Sequence, residues 1–552
     1  MTEPAAHSPS SDASWDVVVI GGALSGASTA LLLLRRNPRL RVLIVERHAA
    51  FKRRVGESTV EVSAWFLGRV LDLSAHLNEH HYVKQGLRFW FHNERTSTLG
   101  ECSETGPGYN VRLPGYQVDR AVLDEEVLAR AIAAGATLLR PAKVLDVALA
   151  PGGIQTVSVE VPLAATEMGQ TAGPASNPVT ASDSSPQAPR SKLLRARWIV
   201  DASGFSALLA RREGWLKPNA AHPTASVWTR WSGVKNWDSR ELAQKFPAWA
   251  ARTKALRHTA TNHLVGLGWW AWIIPLKGGD TSVGVVFDQR FLDLPEGPRL
   301  GDRLREMLLA HPAGRELMAD AVWRPGDVHF RRNLPYSSDR YAGDGFVLVG
   351  DAAAFIDPFY SPGMDWVAYT ATAAAALLDG SFRGKPKAPR IARHNERFST
   401  SYARWFEAVY RDKYFYMGDH ELMTLAFRLD LGLYYLGVVS QPFKFGPAAL
   451  ETPSFASPVS APFARFMAFY NRRLAAIARA RLARGVWGAS NDRRYFGFRS
   501  YELTWTLPLR VLVAVGAYLR LELREGWRSW FAKTEACPRP SAVVTPSPSA
   551  AV

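Results

Sequence analysis

Cysteine is nearly absent from this sequence. Its 552 residues hold two, Cys102 and Cys537, too few for a disulfide framework or a cysteine-based zinc site. Two free thiols suit a reducing compartment, and no metal site is expected. No uninterrupted apolar run reaches about 18 residues, so no spanning helix is expected. The N terminus lacks a basic stretch leading into an apolar one, which argues against a secretory signal. The expected location is therefore cytoplasmic. No helix-turn-helix, zinc module or basic-aromatic RNA motif is present, which sets nucleic acid aside as a partner. Internal repeats are also missing. Acidic residues are in deficit, 50 against 67 Lys plus Arg, for a net charge of +17. A solvated surface, an acidic protein partner and a membrane surface all remain open as readings of that balance.

What the chain does have is hydrophobic mass. Such residues make up 47% of it, enough for a large core. From Trp15 a buried strand, WDVVVI, runs into GGALSG (Gly21 to Gly26) and an apolar helix, ASTALLLLRR, which Pro38 stops. A second strand, RVLIVE, ends at Glu46. Continuous apolar strands flanking a helix are the pattern of a parallel sheet covered on both faces.

Further along, residues 120 to 134 predict a helix closed by Gly135. The stretch 151 to 191 is rich in Pro, Ser, Thr, Gly and Ala, which predicts a long insertion, disordered over 164 to 191. Residues 226 to 290 alternate apolar and polar with many Trp, predicting a second, antiparallel sheet. The expected organisation is a disordered tail over 1–14 and a two-sheet body over 15–390. A mainly helical region, 391–535, and a disordered tail, 536–552, follow. The fold class is α/β: a Rossmann-like dinucleotide-binding domain, an antiparallel-sheet substrate domain and a helical C-terminal region.

A strand that turns tightly into a helix directs backbone N–H groups at a pyrophosphate. Here the G-x-G-x-x-G slots hold Gly21, Ala23 and Gly26. Glu46, about 20 residues past the last glycine, is placed to accept from ribose hydroxyls. An acid there favours an unphosphorylated adenosine ribose, as in FAD or NAD. Two distal motifs favour FAD. One is VDASG (Val200 to Gly204), and the other is GDAAAFIDPFYSPG (Gly350 to Gly363). A NAD dehydrogenase needs no second cofactor loop, and no dedicated NAD(P)H-binding motif is present.

These residues resemble the flavin-dependent halogenase family, within FAD monooxygenases of the p-hydroxybenzoate hydroxylase type. Four features carry the resemblance, which covers about residues 15 to 385: RVGEST (Arg54 to Thr59), Lys84 in VKQGLRFWF, WAWIIP (Trp270 to Pro275) and FIDPFYSPG. WAWIIP fits W-x-W-x-I-P at every fixed position. FIDPFYSPG fits F-x-x-P-x-S-x-G through Phe355, Pro358, Ser361 and Gly363. The resemblance implies FAD as cofactor and O2 as co-substrate. Reduced FAD would form a hydroperoxide, chloride or bromide would attack it, and hypohalous acid would travel through a tunnel to Lys84. An electron-rich aromatic would then take the halogen.

By the same resemblance, Lys84 and Ser361 are the catalytic pair. The cofactor would be held by Gly21, Gly22, Ala23, Ser25, Gly26, Glu46, Arg47, Glu57, Ser58, Arg120, Asp201, Gly204, Gly350, Asp351, Pro358, Gly363 and Met364. Trp270, Trp272, Pro275 and Phe355 would line the tunnel, and Pro362 and Gly363 would hold the halide. The partners implied are a small aromatic, free or on a carrier protein, and a flavin reductase.

Two positions depart from the family pattern. Tryptophan halogenases carry a Glu immediately before the loop serine to assist deprotonation, and this chain carries Tyr360. A phenol or pyrrole, activated by its own heteroatom, is therefore the expected substrate rather than tryptophan. The family's halide sits on the backbone N–H groups of the two residues after the serine, here Pro362 and Gly363, and proline has no N–H. A monooxygenase or dehydrogenase that has lost halide use stands as the alternative, and a non-catalytic FAD-binding scaffold as a third reading. Finally, residues 503 to 531 form an apolar segment with Arg510, Arg520, Arg524 and Arg528. A helix packed on the body is the first expectation, and a basic amphipathic helix on a membrane the second.

Overall fold

The computed structural model describes residues 14–113, 115–162, 190–499 and 502–530. The expected N-terminal tail, the middle of the insertion and the C-terminal tail fall almost wholly outside them.

Strand Ser14–Ile20 is the centre of the first sheet. It pairs in parallel with Arg190–Asp201 on one side and Val42–Val45 on the other. Phe346–Leu348 adds to the first flank and Thr137–Leu139 to the second, both also in parallel. Val17, Val18 and Val19 are fully buried. Helices cover both faces, so consecutive side chains must all be apolar. The helix after the first strand, Leu24–Arg36, packs against Arg120–Ala133 and Gly363–Phe382. Alanines and a glycine run through Gly363–Phe382, nearly all buried, and small side chains allow that close approach.

The insertion reads differently in three dimensions than in sequence. At its far end Arg190 and Ser191, expected to be disordered, open strand Arg190–Asp201, and its first part holds a strand, Gln155–Val161, which alternates buried and half-buried residues. That strand pairs antiparallel with Arg190–Asp201 and with Lys143–Ala148. A low count of aromatics hid it, because QTVSVEV alternates through Val alone.

The second sheet is largely antiparallel, as the Trp-rich alternation predicts. Thr224–Ser232, Thr281–Asp288, Trp269–Pro275 and Thr261–Gly266 follow in order, then Leu87–Phe91 and Ser103–Pro107. One face belongs to the large core shared with the first sheet. The other encloses a separate cluster around Trp90, Trp231, Trp237 and Trp249, in which Trp90 and Trp237 stack at 4.6 Å. One correction falls in the region expected to be helical. Tyr495–Phe498 is a strand that extends this sheet in parallel beside Ser103–Pro107.

The remaining C-terminal region is helical and wraps the open side of the second sheet. His420–Phe445 is long and apolar enough to cross a membrane by length and composition, but most of it is buried in the body. Helix Leu507–Leu521 buries Leu507, Val511, Ala514, Tyr518 and Leu521 and packs against His420–Tyr434.

Candidate active site

Three cofactor motifs lie far apart in sequence and side by side in space. Ile20 pairs with Asp201, and Asp201 pairs with Leu348. The loops beginning at Gly21, Ala202 and Gly350 therefore leave one sheet edge together, at the carboxyl ends of parallel strands where open α/β sheets take ligands. Gly21 has a φ of +99°, and a Cβ there would lie 2.6 Å from Ala202 O. A Cβ on Gly26 would lie 1.9 Å from Gly21 O, and one on Gly350 would lie 2.9 Å from Ser25. No larger residue fits these slots.

The groove fits a dinucleotide. Helix Leu24–Arg36 starts at Ala23 with no side-chain cap and no acid in its first turn, so its first N–H groups and dipole face an anion unopposed. Glu46 accepts from Gly22 N at 2.9 Å and His48 N at 3.0 Å, one on each oxygen. A second lone pair on each oxygen remains for ribose hydroxyls. Asp351 is half-buried, and its desolvation raises it to about 6 against the pull of Arg120, Arg331 and Arg54. Arg120 is itself held by Asp124 at 2.9 and 3.1 Å and reaches Gly56 O at 3.4 Å.

Other expected cofactor residues face elsewhere. Asp201 engages both oxygens with its own loop, through Ser203 N and Leu209 N. Glu57 is buried against Arg230, and desolvation outweighs that cation, raising it to about 7. Arg47 lies exposed beside His48. Ser58 turns away from the groove, toward Lys84.

Lys84 ends the strand Tyr82–Lys84, which pairs with Gly115–Gln117 in a two-stranded ribbon. Gly115 faces it across the ribbon. A Cβ there would lie 3.3 Å from Lys84 Cδ, so the glycine lets the lysine stem pass. The ammonium donates to Ser58 Oγ and Thr59 O, each at 2.8 Å. An ammonium carries three donors, so one remains. Burial lowers the lysine to about 8, and Glu61 and then Asp365 pull it back up. The RVGEST segment thus touches both sites: Gly56 meets Arg120, while Ser58 and Thr59 hold Lys84.

Lys84 lines a partly open, mostly apolar cavity of about 100 Å³, on the scale of a single aromatic ring. Thr59, Val60, Glu61 and Leu87 form one wall, Tyr360, Pro362 and Asp365 another. The C-terminal helices close it with Trp405, Tyr410, Phe427, Asp430, Tyr434 and Tyr435. Within the loop, Tyr360 and Ser361 have φ of +70° and +61°, conformations that cost non-glycine residues about 1–2 kcal/mol each. Ser361 N donates to Pro358 O at 2.9 Å. Pro362 caps helix Gly363–Phe382, and nothing lies within 4 Å of a Cβ built on Gly363. Met364 is buried in the first turn. Asp365 accepts from Ser63 N at 2.8 Å and Tyr434 Oη at 3.0 Å. Burial holds it up at about 7.

The expected tunnel residues lie behind this cavity, not in its wall. Trp270 packs on Phe359 at 5.2 Å and donates to Tyr414 Oη at 2.9 Å. Trp272 donates to Ser282 Oγ at 3.1 Å. Pro275 closes their strand. Phe355 packs edge-on to Phe205 at 4.9 Å.

Sequence reasoning missed the cavity's far wall. Asp430 accepts from Lys413 Nζ, and from Tyr360 Oη at 3.1 Å. Lys413 is fully buried. The signal was legible, because an acid inside the apolar run LAFRLDLGLYYLG needs a buried partner. Glu61, two residues past RVGEST, gave no signal of its own.

Comparison with known proteins fits this arrangement. The tryptophan halogenase family model matches residues 184–411. A flavin-dependent halogenase of Dictyostelium discoideum is 29% identical over 374 residues, 64% of this chain and 58% of that one. The sulochrin halogenase of Aspergillus terreus is 26% identical over 405 residues, 71% of this chain and 68% of that one. The chain is similar to flavin-dependent halogenases over most of its length. It spans less than two thirds of the Dictyostelium relative's length. Among solved structures, the halogenase PltM superposes with a TM-score of 0.69 at 20% identity, covering 92% of this chain and 99% of that one. The brominase Bmp2 gives 0.59 at 18%, covering 84% and 100%. At these identities the superpositions speak for the shared halogenase fold. PltM has also been solved with phloroglucinol and FAD.

Proposed function

We propose that the protein is an FAD-dependent halogenase acting on a small electron-rich aromatic of the phenol or pyrrole type. One observation carries the reading: a buried lysine, held by Ser58 Oγ and Thr59 O, lines a ring-sized apolar cavity. FAD, when bound, supplies the oxidation of halide by oxygen. Gly21, Gly22, Gly26, Glu46, Arg120 and Asp351 would hold it at the strand ends.

The chain's own residues do the rest. Lys84 donates its remaining N–H to hypohalous acid and orients the halogen toward the ring. A flexible ammonium on a fixed stem suits that role. The aromatic wall excludes water, so the oxidant meets the arene rather than solvent. The family structure with phloroglucinol, a trihydroxybenzene, supports a phenol here. Without an NAD(P)H motif, a separate flavin reductase would supply reduced FAD.

The test is product mass from purified protein given FAD, a flavin reductase, NADH, oxygen and bromide, with a panel of phenols, pyrroles and indoles. A bromine isotope doublet that vanishes in Lys84→Ala supports the reading. An oxygen-only mass gain, unchanged by halide and retained in Lys84→Ala, refutes it. Pro362, on the cavity wall, specifically favours that second outcome, a monooxygenase that has lost halide use.

A peripheral contact with an anionic lipid surface is part of the same proposal. Leu519, Leu523 and Trp527 form an exposed stripe, and Arg520, Arg524 and Arg528 form a second stripe beside it, each one residue on. Apolar and cationic stripes on one helix suit an anionic interface, although Arg524 also pairs with Glu421 and Glu525. Full-length protein should sediment with phosphatidylglycerol vesicles and not with phosphatidylcholine alone. Failure to bind either, or binding only to an acidic carrier protein, would overturn the lipid assignment.

A further inference from the structure

Halogenation of an arene needs a proton acceptor as well as a halogen donor. The position before Ser361, where the family resemblance places a glutamate, holds Tyr360. Its hydroxyl is engaged by Asp430. Burial and that carboxylate push the phenol well above its ordinary range, so Tyr360 stays neutral and takes no proton.

Three carboxylates line the cavity: Glu61, Asp365 and Asp430. Asp430 has both oxygens engaged, one by Lys413 and Tyr360, the other by Tyr470. Asp365 has both engaged, by Ser63 N and by Tyr434. Glu61 differs. Tyr435 Oη donates to its Oε1 at 2.7 Å, and among the described residues nothing donates to Oε2. The carboxylate is therefore oriented by one bond and still has an accepting oxygen. It is also the leading charge that keeps the buried Lys84 protonated. No ion pair joins the two among the described residues. The cavity thus carries a proton acceptor and a proton donor, with space between them for a ring.

We propose that Glu61 is the general base of this site and that its substrate is a hydroxyarene whose O–H meets Glu61 Oε2. The proposal rests on the halogenase reading above. As the ring carbon bonds to the halogen of hypohalous acid, Glu61 takes the phenolic proton. The halogen–oxygen bond breaks, and the departing hydroxide takes a proton from the Lys84 ammonium and leaves as water. The resulting dienone gives its ring proton to the Lys84 amine. Glu61 returns its proton to the phenolate, and both side chains are restored. The net change is one C–H bond replaced by a carbon–halogen bond, with hypohalous acid reduced to water. Tyr435 is a positioning residue that fixes the carboxylate.

General-base catalysis contributes about 10²–10⁴-fold, so Glu61→Gln should lower turnover of an ordinary phenol by that factor. A phenol acidic enough to be ionised in solution needs no base, and Glu61→Gln should handle it almost as well as the wild type. Lost turnover should therefore grow with substrate pKa, a dependence that a merely structural defect would not produce. Glu61→Asp should recover part of the loss. Binding gives an independent readout. Measured by tryptophan fluorescence in the FAD-loaded protein, the wild type should prefer a phenol over its methyl ether, and Glu61→Leu should not. Equal turnover of all phenols by Glu61→Gln and wild type would overturn the proposal and leave the halogenase reading intact. So would a loss independent of substrate pKa. A wild type that halogenates nothing would instead refute the halogenase reading itself.

Discussion

Pro362→Ala should tighten halide binding. Pro362 has φ −76° and ψ −10°, and its carbonyl accepts from Trp366 N at 3.0 Å. Alanine adopts the same backbone and keeps that bond, so the variant adds one N–H at the helix N terminus and changes little else. A hydrogen bond to a charged group is worth about 1.5–3 kcal/mol. With a factor of ten per 1.4 kcal/mol, the halide KM should fall roughly tenfold to a hundredfold. Loss of proline's restriction on the unfolded chain should cost about 0.4–1 kcal/mol of stability, too little to unfold the protein. The assay is initial rate against chloride and bromide concentration at saturating arene, with peroxide release followed in parallel. Peroxide should fall as halide capture improves. An unchanged halide KM would refute the argument, because it would mean that the halide does not sit on this helix terminus.

Three further outcomes follow from the geometry. Halide KM should rise as pH climbs through about 7, where the buried Asp365 in the same first helical turn becomes a carboxylate, and Asp365→Asn should flatten that pH profile. Asp430→Asn should lower stability by about 3–5 kcal/mol, because it strands the Lys413 ammonium in the core; thermal and denaturant unfolding would read it, and a shift under about 1 kcal/mol would count against a buried ion pair. Gly26→Ala should abolish flavin retention through gel filtration, since its Cβ would lie 1.9 Å from Gly21 O; a variant that keeps its flavin would contradict the tight turn.

Much of the cofactor half was legible in the chain. GGALSG after a continuous apolar strand declares a strand–turn–helix, because the positive φ of Gly21 and the approach of Gly26 to Gly21 O are local and favour glycine. The W-x-W strand and the F-x-x-P-x-S-x-G loop were legible by resemblance, because each is one continuous piece of chain, although the partners of Trp270 and Phe355 lie far away in sequence. Strand Gln155–Val161 was not, because its pairing partner lies beyond a long insertion and its composition mimics a linker.

Lys84 could be singled out by resemblance, but its burial and its bonds to Ser58 and Thr59 could not. They depend on the ribbon at Gly115 folding back over RVGEST. The cavity is the clearest case of a property held by no single segment. Its walls come from residues 59–61, 84–87, 107–115, 360–365, 405–467 and Phe498, pieces up to hundreds of residues apart. Which carboxylate keeps an accepting oxygen is decided only by hydrogen bonds across those gaps: Tyr360 to Asp430, Tyr434 to Asp365, Tyr435 to Glu61. Sequence determined the dinucleotide turn, the two sheets and the presence of the lysine, because periodicity and backbone sterics act over a few residues. Tertiary structure alone decided which acids stand beside that lysine and which of them can take a proton, because burial and hydrogen-bond partners are properties of the assembled walls.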